Sequence, residues 1–208
     1  MENNEQIDFT KCTYLSYPMQ TGKALYLKMK KENESNITDF CAQNSQKAKW
    51  IKEYNHKKSF DFVQKSIENF DKIINPGKMV FVLTGKWGGK WESESFLKTD
   101  LYLIDKYAEQ IVFFEDWYYS LGCVEEFKLA SDKNIKMYEC FQNHSSNRYY
   151  WDIYIELTPK YIKSCFEKAI EFFKMCGIQK INSAKAKAKE DEESICEQFR
   201  NYILIYTK

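Results

Sequence analysis

"QIVFFEDWYYSLGCVEEFKLA", residues 110–130, decides how the rest of the chain is read. Residues 110–116 carry four apolar side chains in a row without alternation. Such a run reads as a strand buried on both faces, the habit of parallel sheets. Residues 121–132 read as a helix. Ser120 and the Gly122–Cys123 pair therefore stand where a strand's carboxyl end passes into a helix. Two adjacent glutamates follow. A helix turns about 100° per residue, so Glu125 and Glu126 face different directions, and Glu125 is expected in solvent.

Working outward, "CTYLSYPM" (12–19) reads as a buried strand that Pro18 ends, because proline donates no ladder hydrogen bond. A polar loop containing Gly22 follows, then a helical pattern from Ala24, a loop at 31–36 and a helix over 37–55. The polar "NHKKS" predicts a break, and Ser59 a fresh N-cap for a helix over 59–72 with Phe60, Val63, Ile67 and Phe70 apolar. Residues 73–85 read as one or two strands around a Pro-Gly turn, "KWGGKWES" as a glycine-rich loop, 94–108 as a helix and 135–140 as a further strand. This alternation predicts an α/β fold, a doubly wound parallel sheet of Rossmann or flavodoxin type, over residues 10–140. Ligands of such sheets sit beyond the carboxyl ends of the strands.

Residues 141–208 read as an α-rich extension packed on that domain. A strand is expected within 143–157. Thr158 as N-cap, Pro159 at the first helical position and Gly177 past the end bracket a helix. A charged helical segment (183–199) and an apolar "YILIYT" close the chain.

With 31 basic and 30 acidic side chains, the net charge of +1 gives no electrostatic footprint for a nucleic-acid polymer or a membrane surface. No apolar run reaches the ~20 residues of a membrane span. The seven cysteines are odd in number and widely spaced, without a CxxC pair, and there are only two histidines. Disulfides and a zinc site are not expected, and free thiols point to a reducing, cytoplasmic setting. "GKWGGKW" lacks the spacing of a phosphate-binding loop. It reads as a glycine-rich loop, with a mobile loop whose Trp87 or Trp91 closes over a ligand as the alternative.

Three segments, "TYLSYPMQTGK" (13–23), "TDLYLI" (99–104) and "SLGCVEEFKLA" (120–130), occur in the order found in the nucleoside 2-deoxyribosyltransferase superfamily, which the chain resembles over residues 12–140. The similarity extends to its 2'-deoxynucleoside 5'-phosphate N-hydrolase branch and to a group of uncharacterised relatives, through the "INP" at 74–76 and the tryptophan of "DWYYS". The resemblance implies cleavage of an N-glycosidic bond, by hydrolysis or by transfer of the sugar to another base, without a cofactor. It makes Glu126 the nucleophile at C1', Asp100 the acid that helps the base leave and Tyr14 a residue of the catalytic group. It places Ser120, Gly122, Met19, Gln20, Thr21, Gly22, Asp116 and Trp117 around the substrate, and implies a homodimer or larger homo-oligomer. Where the N-hydrolases carry an arginine in the first loop, this chain has Gln20, with Lys23 three residues on. Some thirty extra residues precede position 59.

The chemistry of the residue types agrees. Glycosidic cleavage builds positive charge on the sugar and negative charge on the base. One carboxylate must stand by C1' and a second acid by the leaving group. A hydroxyl with backbone N–H groups at a helix N-terminus suits a 5'-phosphate. Each residue also has a plainer reading: Glu126 as a solvent-facing helix position, Asp100 as a first-turn acid favoured by the helix dipole, Ser120 as an N-cap, Trp117 as strand-end packing, Cys123 as a small core residue. The competing function is a non-catalytic nucleotide-binding or interaction module on the same scaffold.

Overall fold

The computed structural model describes residues 11–19, 21–33, 46–77, 93–143, 150–178 and 195–207. Five strands form one sheet: β1 (Cys12–Ser16), β2 (Ile73–Ile74), β3 (Ala108–Phe114), β4 (Lys136–Asn143) and β5 (Tyr150–Glu156). Their order is β2-β1-β3-β4-β5. The first four are parallel and β5 joins antiparallel, so the fold is α/β with a mixed edge. The seven described helical elements are α1 (Lys23–Lys31), α2 (Gln46–Asn69), α3 (Ser93–Tyr107), a 3₁₀ turn (Trp117–Tyr119), α4 (Leu121–Asp132), α5 (Pro159–Cys176) and α6 (Ile195–Tyr206).

Strand side chains alternate between faces with period two, and the core divides accordingly. Tyr14, Ile111 and Phe113 join the larger cluster, covered by α1, α3, α4, α5 and α6. Leu15, Tyr17, Val112 and Phe114 join the smaller one, covered by Phe62 and Val63 of α2. Both faces of β1 and β3 are therefore buried, as their unbroken apolar runs predict. Between β1 and β3 the order of connection reverses, which places a crevice at their carboxyl ends.

Three expectations change. No break interrupts α2 at "NHKKS": His56 and Lys57 fall on its exposed face while Asn55 and Ser59, four apart, lie on the buried one. Lysine is a good helix former, and Ser59 is no cap; its hydroxyl donates to the His56 carbonyl at 3.2 Å. The boundary expected at residue 140 falls inside β4. β5 extends the same sheet, and Phe166, Phe173 and Phe199 of the last third share the larger cluster, so the described residues after 140 contribute to the main core rather than lying on it. The strand expected within 143–157 is described over Tyr150–Glu156. The bracketed helix forms as its end signals require: Thr158 accepts from the Tyr161 amide at 3.3 Å and Gly177 closes α5 at φ 71°. The strands expected after residue 77, the glycine-rich loop with Trp87 and Trp91, and most of the charged segment lie outside the described residues.

Candidate functional site

Glu126 sits on the stripe of α4 that meets the sheet, in register with Cys123, Phe127 and Ala130. It is only 6% exposed. Tyr14 and Ser16, two apart on β1, point to the same side. The Tyr14 hydroxyl donates to Glu126 Oε1 at 2.9 Å, and Ser16 Oγ donates to Oε2 at 2.5 Å. Each carboxylate oxygen thus has its own hydroxyl donor from a strand more than a hundred residues away.

Asp100 arrives from α3. Phe96, Asp100 and Ile104, spaced by four, form its buried stripe, and Asp100 is 5% exposed. It lies in the middle of a helix that starts at Ser93, so the first-turn dipole reading does not apply. Its carboxyl lies near enough to Glu126 and Tyr14 for its charge to be felt by both, while the Tyr14 hydroxyl donates to Glu126.

Burial pushes both carboxyls above the usual carboxylate range. Asp100 adds to the shift at Glu126, while the Ser16 and Tyr14 hydroxyls oppose it. Two ionised carboxylates buried near one another repel. The group is satisfied when one of the pair carries a proton and the other is anionic, which gives one acid and one base at adjacent positions. Burial, then the nearby Glu126 and Asp100 charges, hold the Tyr14 phenol well above its ordinary value. The Cys123 thiol is pushed up by burial and then by Glu126, so it is no thiolate nucleophile.

The rim above this group is tied by polar contacts. Thr21 Oγ1 and Ser120 Oγ lie 3.1 Å apart, linking the loop after β1 to the start of α4. Ser120 occupies the N-cap position but its side chain makes no capping bond. Gly22, at φ 127°, has a backbone that other residues rarely adopt, and an added Cβ would come within 3.2 Å of Pro18. Gly122 has open space where its Cβ would stand. The side chain of Met19 packs on the smaller cluster, and its carbonyl and that of Thr21 accept from Asn55 Nδ2 at 3.3 and 3.0 Å. Gln20 lies outside the described residues. Asp116, in the left-handed region at φ 63°, pairs with Lys23 at 3.3 Å.

Trp117 is not a ligand-facing residue. It has no exposed surface, packs on Phe113, Phe127 and Phe166, and donates its indole N–H to Glu139 Oε2 at 3.0 Å. Glu139, 1% exposed on β4, also accepts from the Asp116 amide at 3.3 Å and so fixes the turn that leads to Ser120. Burial raises its carboxyl to about 7, against its hydrogen bonds. Glu139 and Ser16 are the two residues that sequence reading misses. An acid at an inward position of "IKMYEC", and a serine two residues beyond Tyr14, are the signals that mark them.

A cleft of about 130 Å³ opens at the carboxyl ends of β1 and β3, between Pro18, Gly22, Phe114 and Asp116 on one side and Asn55 and Lys58 of α2 on the other. Neither Glu126 nor Asp100 lines it. No described helix is long and apolar enough to cross a membrane. Compared with family models, curated proteins and solved structures, the chain matches none.

Proposed function

We propose that this protein cleaves the N-glycosidic bond of a nucleoside or nucleoside 5'-monophosphate, passing the sugar to water or to a second base. The observation that carries the reading is a pair of buried carboxyls near enough to repel one another, Glu126 and Asp100, with the Tyr14 and Ser16 hydroxyls donating to Glu126. Attack at C1' requires the form in which Glu126 is ionised, which its two hydroxyl donors favour and which burial and the Asp100 charge oppose. In that form Asp100, itself raised by burial, holds the proton and gives it to the leaving base. Ser120 and the first turn of α4 receive the 5' end. The strand order 2-1-3-4-5 is that of flavodoxin-like doubly wound sheets, whose ligands bind at the switch beside the first strand, and this supports the placement.

Burial of both carboxyls favours a second reading, a nucleotide-binding module without turnover, in which the pair is a structural acid dyad. Incubation with a panel of nucleosides and nucleoside monophosphates, followed by assay of free base, separates the two. Base release that Glu126→Gln abolishes supports the enzyme. No release from any member of the panel favours the module.

The same reading carries self-association. Leu204 and Ile205 on α6 are 63% and 61% exposed, and a second copy would cover them. Light scattering at tens of micromolar is expected to give at least a dimer mass; a monomer mass refutes it.

A further inference from the structure

Glu139 stands inside the sheet, on β4, between Phe113 of β3 and Ile155 of β5. An ionisable side chain is costly in such a place unless hydrogen bonds offset its burial. Its two oxygens are used separately. Oε1 accepts from the Asp116 amide at 3.3 Å and Oε2 from the Trp117 indole N–H at 3.0 Å. Both donors belong to the turn that follows β3.

The turn passes this anchorage to the rim through its own backbone. The Tyr119 amide donates to the Asp116 carbonyl at 3.1 Å, and the Ser120 amide to the Trp117 carbonyl at 2.8 Å. Ser120 then leads into α4 and meets Thr21. Asp116 lies in the left-handed region, which a residue other than glycine keeps only where its surroundings impose it.

An ionised carboxylate offers each of the two N–H groups an oxygen of its own. A protonated carboxyl keeps one full acceptor, and its O–H must itself find one. The Asp116 bond, the longer of the two, is then the one released. We propose that Glu139 is an ionisation-controlled clamp on the turn that carries Asp116 and Ser120: as an anion it holds both donors and fixes the rim, and when protonated it releases the Asp116 amide and the rim loosens. The clamp stands on this geometry and requires no substrate; that it regulates the candidate site rests on the glycosidic reading above.

The carboxyl lies at about 7, so the change falls within the physiological range. The titratable groups facing it are Asp116 and Tyr118 from the turn and Tyr161 and Cys165 from α5, with the Lys168 charge reaching Cys165. Burial pushes Tyr118, Tyr161 and Cys165 upward, so these three stay neutral, while the Asp116 charge opposes ionisation of Glu139. Whole-fold stability runs the other way. A carboxyl raised above its unfolded value stabilises the fold below that value and loses this as pH climbs, over the range in which the turn gains its second acceptor.

The test is a pH titration of the isotope-labelled full chain by NMR. The Glu139 carboxyl carbon is expected to titrate with a midpoint of about 7, and the Trp117 indole N–H and the Asp116 and Ser120 amides to shift with it. Exchange of the Asp116 amide with solvent should be about ten-fold faster on the acid side, the loss of one hydrogen bond to a charged group. Glu139→Gln, with a single acceptor oxygen, should flatten all three N–H titrations. Glu126→Gln should leave them in place, which separates the clamp from the carboxyl pair. A Glu139 carboxyl that does not titrate between about pH 5.5 and about pH 8.5, N–H signals that stay still while it titrates, or N–H titrations that persist in Glu139→Gln or vanish in Glu126→Gln would each overturn the proposal. The first two are read on the wild-type chain and decide the matter even if Glu139→Gln does not fold. No ligand is involved, so a clamp that fails leaves the glycosidic reading standing, and a protein that releases no base leaves the clamp standing.

Discussion

Replacing Glu126 with glutamine should do two opposite things: abolish base release and stabilise the fold, the second only at alkaline pH. Glutamine fills the same volume. Its amide oxygen keeps one of the two hydroxyl donors, and the other hydroxyl turns to accept from the new NH₂. Trading two charge-assisted hydrogen bonds for neutral ones costs about 1 kcal/mol each. Against this, the buried anion is gone. Its desolvation costs several kcal/mol, and the repulsion from Asp100 goes with it. The net gain is about 1–3 kcal/mol where the wild-type group would be ionised. The sign with pH follows from the raised carboxyl. A carboxyl whose folded value lies above its unfolded value contributes stability that is fully present below the unfolded value and is lost as pH climbs toward the folded one. At pH 5 the wild-type side chain is protonated in the folded protein and glutamine changes little. At pH 8.5 the variant is ahead. For a chain of this length 1 kcal/mol moves the melting temperature by about 2–4 °C, so Glu126→Gln should melt roughly 3–10 °C above wild type at pH 8.5 and within about 2 °C of it at pH 5. Calorimetry at the two pH values measures this. A lower melting temperature at pH 8.5, or the same difference at both, refutes the buried-charge argument; retained base release refutes the role of Glu126.

Asp100→Asn should slow base release by about 10²–10⁴ for poor leaving groups and much less for a base that departs readily unprotonated; equal slowing across a leaving-group series counts against Asp100 as the acid. Ser120→Ala should weaken binding of a nucleoside 5'-monophosphate by about 1.5–3 kcal/mol and leave the nucleoside unaffected, and titration of the pair of ligands reads this. Equal losses for both ligands would mean that Ser120 serves only its contact with Thr21. Glu139→Leu strips partners from the Trp117 indole and the Asp116 amide. Two unsatisfied donors cost about 2–6 kcal/mol, a fall of roughly 4–20 °C in melting temperature; a change below about 2 °C would show that Glu139 does not hold the turn.

Much of the arrangement is legible along the chain. The apolar run at 111–114 is a strand buried on both sides and is read as one, and Leu121–Asp132 is a helix as its pattern requires. Thr158, Pro159 and Gly177 mark α5 because end signals are local. What resists reading depends on partners far away. Asp100 looks like a dipole-favoured first-turn acid until the start of α3 is fixed at Ser93. The "NHKKS" stretch looks like a break because its polarity comes from two sources at once: His56 and Lys57 are polar because they face water, Asn55 because it holds the Met19 and Thr21 carbonyls. Trp117 carries a polar atom and a ring, and only the position of Glu139 decides that both are spent inside the core. The mutual approach of Glu126, Asp100, Tyr14 and Ser16 is a product of the sheet order, which no local pattern encodes.

That sheet order also sets a schedule for synthesis. β1 ends at Ser16, but the strand beside it that completes its burial, β3, begins at Ala108. Ribosomes add about 5–20 residues per second, so β1 spends about 5–20 s outside the ribosome with one long edge open. Among the described residues, its only earlier strand neighbour is the two-residue β2. Contacts of such long sequence separation form slowly even in a finished chain. An apolar strand left waiting is a template for pairing with other nascent chains. Expression yield in the cell should therefore respond to translation speed between residues 17 and 114, where the cell's chaperones have the longest exposure to cover.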